Sequence, residues 1–422
     1  MKIYFSGIGG VGIGPLAEIA QDAGYIVCGS DQAAGLMTEE LVARGIPISF
    51  DQSGATLRAE HEKAAIDWFV YTSALPDDHP ELVTARELGI RTAKRDELLA
   101  EIIRDKQLKL LAVAGTHGKT TTTGMTVWAL QKLGVPVSYS VGSTLSFGPS
   151  GKFDPESDYF VYECDEFDRN FLHFQPWLSL ITSIDYDHPD TYPTEAEYLA
   201  AFEQFIAQST QCVAWRQDVD EMTADGVQLL DKTANSTQAA LKTIALAGQH
   251  NRENGLLVLT ALQQLGVATA NALAAIASFP GTGRRFEKLA DNLYSDYGHH
   301  PTEIAATLQM ARELNDRVVL VYQPHQNIRQ HEVRHLYADC TALADTVYWL
   351  PTYLTREDPD LPILSPAELT ADLQNRQAVR FADLNDKLWQ TITRERAAGK
   401  LVLCMGAGTI DGWIREQLQR TD

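Results

Sequence analysis

Apolar residues in the first ninety or so positions gather into short runs, KIYFSG, YIVCGS and FVYTSA, separated by longer stretches with helical spacing. Such runs predict buried strands of a parallel sheet joined by crossover helices, because strands covered on both faces need no polar side. RDELLAEIIRDKQ then reads as a connecting helix, after which LKLLAVAG opens a second apolar strand. The second region runs through YFVYEC and LSLITSI to a helical segment, HNRENGLLVLTALQQLG. It closes at FPGTGRRFE, where Pro and Gly interrupt the periodicity. Beyond it, RVVLVYQP, TVYWLP and KLVLCMGAG again alternate with helices. The pattern predicts three consecutive α/β domains with mainly parallel sheets. The first is Rossmann-like over 1–97, the second is built on a phosphate loop over 98–286, and the third is again Rossmann-like over 287–422.

The charge balance narrows the partners. Lys and Arg number 35 against 56 Asp and Glu, so the long-range field is negative and repels nucleic acid and anionic membrane surfaces. An anionic substrate must then be held by local devices such as helix N-termini, backbone N–H groups, a few placed cations and metal ions. The five cysteines, Cys28, Cys164, Cys212, Cys340 and Cys404, are dispersed and show no C-x-x-C spacing. This argues against a disulfide framework or structural zinc and fits a reducing cytoplasm. With no signal-like start and no apolar run of membrane length, the protein is expected to be cytoplasmic and not inserted in a membrane.

Chemistry concentrates in a few strings. After the strand LLAVA comes Gly115-Thr116-His117-Gly118-Lys119-Thr120-Thr121, followed by a helix-like stretch. Glycines let backbone N–H groups wrap phosphate oxygens, Lys119 supplies a cation, and the Thr120 hydroxyl can ligate magnesium. The loop is shorter than G-x-x-x-x-G-K-S/T, with Val113 where the first Gly would stand. Near the N-terminus, Gly7-Ile8-Gly9-Gly10-Val11-Gly12 fits G-x-G-x-x-G, and Asp31 follows the next strand. This pattern suits a dinucleotide and invites an NAD-dependent oxidoreductase reading, but any diphosphate satisfies the same physics. Glu163 and His188 each follow a strand, the end at which parallel sheets gather their ligands, and so suit metal and phosphate work. In the last region Tyr297 can stack on a base, Asp296 can accept from ribose hydroxyls and Arg329 can clamp a carboxylate. The His299-His300 pair lacks a third Cys or His at zinc spacing.

With these strings in order, the chain resembles the Mur ligase family, and within it the branch that joins L-alanine to UDP-N-acetylmuramate. The carriers are GIGGVG with GSD, GTHGKTTT, ECDEFD, DYDHPDTY, GQHNRENG, FPGTGRRFE, DYGHHPTE, QPHQNIR and GAGT, spread over all three regions. The resemblance implies a UDP-sugar domain, an ATP domain and an amino-acid domain, with ATP as co-substrate and Mg2+ as cofactor. It places Gly9, Gly10 and Gly12 on the UDP diphosphate, with Asp31 and Ser73 near the uridine. It implies that the loop from Gly115 to Thr121 holds the ATP phosphates, that Thr120 and Glu163 hold a first magnesium, and that His188 holds a second. Asn251 is implied at the adenine, Arg285 at the γ-phosphate, and Asp296 and Tyr297 over the nucleotide. His299, His325 and Arg329 are implied at the amino acid, with Lys119, Glu163, His188, Arg285 and His299 as the catalytic set. The implied product is an amide formed through an acyl phosphate in peptidoglycan precursor synthesis, by a monomer or homodimer.

Three departures from the family pattern matter. Several relatives carry a carbamylated Lys in the middle domain, yet no Lys occurs between Lys152 and Lys232 here; Glu203 offers a carboxylate in its place, with a solvated surface Glu the favoured reading. Gln326 stands where the family has Arg after QPH, and Thr409 where it has Asp in the terminal GAGD. Both remove charge near the amino-acid region and keep a different amino acid, or a preformed peptide, open as the acceptor.

Overall fold

The computed structural model describes all residues except 11, 73–74, 189–190, 220–225, 356 and 421–422. Ser73 therefore lies outside the described residues.

Three sheets follow one another along the chain. The first contains β1 (Lys2–Ser6), β2 (Ile26–Ser30), β3 (Ile48–Ser49), β4 (Trp68–Tyr71) and β5 (Arg91–Lys94), in the order β3-β2-β1-β4-β5 and all parallel. The second contains β6 (Lys109–Ala114), β7 (Ser138–Ser140), β8 (Gly151–Lys152), β9 (Tyr159–Glu163), β10 (Leu178–Ile181), β11 (Gln211–Trp215) and β12 (Val227–Leu230). Its order is β12-β11-β10-β6-β9-β7-β8, with only β8 antiparallel to its neighbour. The third contains β13 (Glu287–Ala290), β14 (Leu293–Asp296), β15 (Val318–Tyr322), β16 (Thr346–Trp349), β17 (Val379–Phe381) and β18 (Leu401–Met405). Its order is β13-β14-β18-β15-β16-β17, and the edge strand β13 is antiparallel.

The apolar runs read from the sequence are the central strands. Every residue of β1, β10, β15 and β18 is buried, and each fully buried Val, Leu or Ile contributes roughly 1.5–3 kcal/mol. The connecting helix Arg95–Asp105 buries Leu98, Leu99, Ile102 and Ile103 in a core shared with Ile3 and Phe5 of β1 and Ala112 of β6. All five cysteines are buried and unpaired. Among the described residues no helix is long and apolar enough to cross a membrane.

Two compact units result. One comprises Met1–Ala240 with Leu257–Phe279 and holds the first two sheets; the other comprises Leu241–Leu256 with Pro280–Asp422. Residues 280–286 and the segment GQHNRENG, read from the sequence with the middle region, thus cluster with the last sheet. The cause is local: Gly248 N–H and the Arg252 guanidinium both bond Glu313 of the helix Pro301–Leu314, at 2.9 and 2.8 Å.

Strand order decides where ligand groups gather. In the first sheet β2 and β4 flank β1, and in the second β9 and β10 flank β6. Successive strands are added to one side of β1 and of β6 and then to the other, so the loops after these strands splay apart and leave a crevice at their carboxyl ends.

Candidate functional site

Directly after β6 the chain turns through Gly115 at φ 133° and Gly118 at φ 85° into the helix Lys119–Lys132. A Cβ on Gly115 would lie 2.3 Å from Thr182 Oγ1 and 2.7 Å from the Ser183 carbonyl oxygen, so only glycine fits between β6 and β10 there. The loop is braced from β10's side. Ser183 Oγ accepts from His117 N–H at 3.0 Å, and Thr116 Oγ1 donates to the Asp185 carbonyl at 2.7 Å. His117 Nε2 lies 3.3 Å from an Asp185 carboxylate oxygen. Thr121 is half-buried in the first helical turn.

Lys119 curls back over the loop, donating to the Gly115 carbonyl at 2.6 Å and to both Glu166 oxygens at 2.7 and 3.0 Å. Burial drives the Glu166 carboxyl up to about 7, although Lys119 pulls the other way. Burial also opposes the charge on Lys119, but Glu166, Asp165 and Glu163 outweigh it and keep the ammonium above its usual range. Lys119 is therefore a largely buried, permanent cation at a helix N-terminus, suited to phosphate oxygens.

Glu163 ends β9, where its Oε1 accepts from Thr120 Oγ1 at 2.8 Å and its Oε2 from Gly142 N–H at 3.0 Å. His188, at φ 59°, places Nε2 3.7 Å from Glu166 Oε1. Thr120 and Glu163 form the oxygen pair that a hard divalent cation prefers, with phosphate and water completing its shell. Among the described residues no group of three His, Cys, Asp or Glu side chains gathers as a ligand set. Glu203 is exposed on the helix Glu195–Ala207.

In the first sheet, the turn after β1 borders a cavity of about 310 Å³ lined by Gly9, Gly10, Asp31, Gln52, Leu75 and His79. Asp31 shapes the turn by accepting from Gly9 N–H and Gln32 N–H, both at 2.7 Å. At Gly12 a Cβ would lie 2.9 Å from Arg95 Nη1, so this glycine admits a guanidinium against the turn. Arg95 heads the connecting helix, next to Asp96, which accepts from the Tyr162 hydroxyl.

The second unit carries the remaining residues. Arg284 is pinned, donating to the Gly406 carbonyl at 3.1 Å, with Nε 3.6 Å from Asp411. Arg285 lies over the Tyr297 ring at 5.1 Å. Asp296 spends its buried carboxylate on the Phe286 and Gly298 N–H groups at 2.8 and 2.7 Å, so here it shapes the arginine turn. Burial raises its pKa to about 6, with Arg285 opposing. Asn251 donates to the Ala247 carbonyl at 3.1 Å and faces Met310 Sδ at 3.2 Å.

His299, His325 and Arg329 do come together. Burial holds His299 near 4, so it is neutral at neutral pH. Arg329 Nη1 meets His299 Nε2, and because a guanidinium can only donate, Nε2 accepts and Nδ1 carries the proton. The His299 and His325 rings are 5.8 Å apart, and Tyr353 stacks on His325 at 5.6 Å. Thr409 bonds the Gln323 amide at 3.2 Å, and Gln326 sits at φ 57° ahead of the helix Asn327–Val333.

Sequence reasoning passed over Glu166, Arg95 and Tyr353. For Glu166 the signal was present, since ECDEFD offers four acids, but only the backbone path shows which one reaches Lys119. Arg95 stands among other charges at a helix start, with nothing to connect it to a glycine eighty-three positions earlier.

Comparison with known proteins finds matches in all three regions of the chain. The chain matches the Mur ligase family, catalytic domain, over residues 2–107, the Mur ligase middle domain over 113–278, and the Mur ligase, glutamate ligase domain over 284–408. It is 34% identical to a UDP-N-acetylmuramate–L-alanine ligase of Nocardioides sp., covering 97% of this chain and 94% of that one. It is 32% identical to the corresponding ligase of Leptothrix cholodnii, covering 97% and 96%. Among solved structures, the UDP-N-acetylmuramate-alanine ligase of Thermotoga maritima superposes with a TM-score of 0.74 at 25% identity, over 100% of this chain and 99% of that one. A murein peptide ligase of Psychrobacter arcticus shares the fold, with a TM-score of 0.62 at 22% identity over 99% and 98%.

Proposed function

Since the chain belongs to the Mur ligase family, and is an ATP-dependent ligase, we propose that it joins L-alanine to the carboxylate of UDP-N-acetylmuramate with the residues above. The single observation that carries the reading is the largely buried Lys119 ammonium in a glycine loop, beside the Thr120–Glu163 oxygen pair. Three domains divide the work, with boundaries near 97 and 286, holding the UDP sugar, ATP and the amino acid.

In this reading the muramyl carboxylate attacks the γ-phosphorus of ATP, ADP leaves, and an acyl phosphate forms. The alanine amine then adds to the acyl carbon, and the tetrahedral species expels phosphate. The first step brings two anions together, so fixed positive charge is the main requirement. Lys119 and the loop N–H groups hold the phosphates, and Arg285 takes the γ-phosphate. Thr120 and Glu163 are the residues to hold one Mg2+, and His188 is the residue to hold a second; when bound, these ions would neutralise phosphate charge. Asn251 and Tyr297 serve the adenine. Asp296, committed to backbone N–H groups, keeps the arginine turn in shape. Arg329 clamps the acceptor carboxylate, and neutral His299 holds that guanidinium in place beside His325. Gly9, Gly10, Gly12 and Arg95 hold the UDP diphosphate, with Asp31 and Ser73 towards the uridine. The enzyme works in the cytoplasm on small molecules, as a monomer or homodimer.

The acceptor is tested by comparing L-alanine, glycine, L-serine and an L-alanine-containing tripeptide at fixed ATP and UDP-N-acetylmuramate. L-alanine is expected to give the highest kcat/KM. A tripeptide that outperforms every free amino acid would transfer the reading to peptide addition, for which Gln326 and Thr409 leave a less charged pocket.

A further inference from the structure

One buried acid plays no part in the chemistry above. Glu81, in the first turn of the helix Pro80–Glu87, is fully buried beneath the nucleotide cavity. Its Oε1 accepts from the Tyr4 hydroxyl at 2.8 Å, and its Oε2 from the hydroxyls of Ser6 and Ser30 at 2.6 and 2.7 Å. Tyr4 and Ser6 lie on β1 and Ser30 on β2, so the carboxylate ties together the strands on either side of the glycine turn. Burying a carboxylate is costly unless its oxygens are satisfied, and here three hydroxyls satisfy them.

This arrangement has a directional consequence for Gln52, which lines the cavity just beyond β3. Its Nε2 lies 3.3 Å from Ser30 Oγ and 3.5 Å from Glu81 Oε2. A hydroxyl has one proton, and that of Ser30 is given to Glu81, so Ser30 can only accept from Gln52. Glu81 can only accept as well. Gln52 must therefore turn its NH2 group inward, which leaves its carbonyl Oε1 for the cavity. Among the described residues Oε1 bonds no protein group, and His79 Nδ1, in the same cavity wall, is buried without a hydrogen-bond partner.

The glycine turn suits a diphosphate and Asp31 a ribose, which leaves the part of the cavity bounded by Gln52, Leu75 and His79 for the base. Uracil presents an N3–H donor on its pairing edge, whereas cytosine presents an N3 acceptor. Resting on the UDP-sugar reading above, we infer that Gln52 selects uracil over cytosine by accepting from N3–H, and that Glu81 is the positioning residue that fixes its amide. Cytosine would set lone pair against lone pair and leave a cavity acceptor unpaired, a loss of about 10- to 100-fold in affinity.

The test is calorimetric titration of UDP and of CDP into the full-length protein, its Gln52→Leu variant and its Glu81→Gln variant. The wild type is expected to prefer UDP by about 10- to 100-fold. Gln52→Leu loses most of that preference. Glu81→Gln, whose amide can donate to Ser30 and free the hydroxyl proton for Gln52, narrows it by letting the amide turn. The UDP/CDP ratio is unaffected by the fraction of protein that folds, and Gln52→Leu carries the test if Glu81→Gln does not fold. A wild-type ratio retained in Gln52→Leu overturns the inference. So does equal binding of UDP and CDP by the wild type, which leaves the ligase reading intact. A wild type that binds neither nucleotide overturns both.

Discussion

Replacing Lys119 by Ala is expected to lower acceptor-dependent turnover about 10³-fold, at the upper end of what one preorganised charge contributes. The protein should remain folded, because Glu166, the buried partner at 2.7 Å, can take up a proton. Its carboxyl is already raised to about 7 by burial, with Lys119 opposing. An acid whose folded pKa is raised contributes stability that is present at low pH and lost as pH climbs through that value. Without the opposing cation the pKa rises further, so the loss continues above about 7, where the wild type has levelled off. Melting curves of the two proteins should run close to parallel at lower pH and diverge above that point. Curves with a constant offset through pH 8.5 would show that Glu166 does not answer to Lys119.

The two adjacent arginines of the GRRF turn should separate binding from structure. Arg284 bonds the Gly406 carbonyl, approaches Asp411 and lies over the Tyr297 ring at 4.6 Å, whereas the interactions described for Arg285 are a longer cation–π contact with the same ring and attraction to Asp296. Arg285→Ala is therefore expected to cut kcat about 10²- to 10³-fold with little change in melting temperature. Arg284→Ala removes a buried carbonyl's partner and should cost stability of about 1–3 kcal/mol, seen as a lower melting temperature, with a smaller kinetic effect. The opposite assignment of the two phenotypes would place Arg284 at the phosphate.

The sequence disclosed the fold where burial writes the plainest pattern. Runs such as KIYFS, LSLI and VVLVY are strands at sheet centres, apolar throughout because helices cover both faces. Two of the edge strands, Ile48–Ser49 and Gly151–Lys152, leave no trace in the pattern because they are two residues each and carry no periodicity. At the site, glycines and the lysine of the phosphate loop were legible because local backbone geometry demands them. Glu166, Arg95, Gln52 and Glu81 were not, because their meaning comes from partners 47, 83, 22 and 77 positions away. Asp296 shows the converse: its string suggests a ligand contact, and the fold employs it to hold Phe286 and Gly298.

The most direct measurement is phosphate release from ATP in the complete mixture of Mg2+, UDP-N-acetylmuramate and L-alanine, and in mixtures lacking one component each. The account predicts release only in the complete mixture, one phosphate for each UDP-N-acetylmuramyl-L-alanine formed. Equal release without the UDP sugar or without any amino acid, or product formed without ATP, would contradict it.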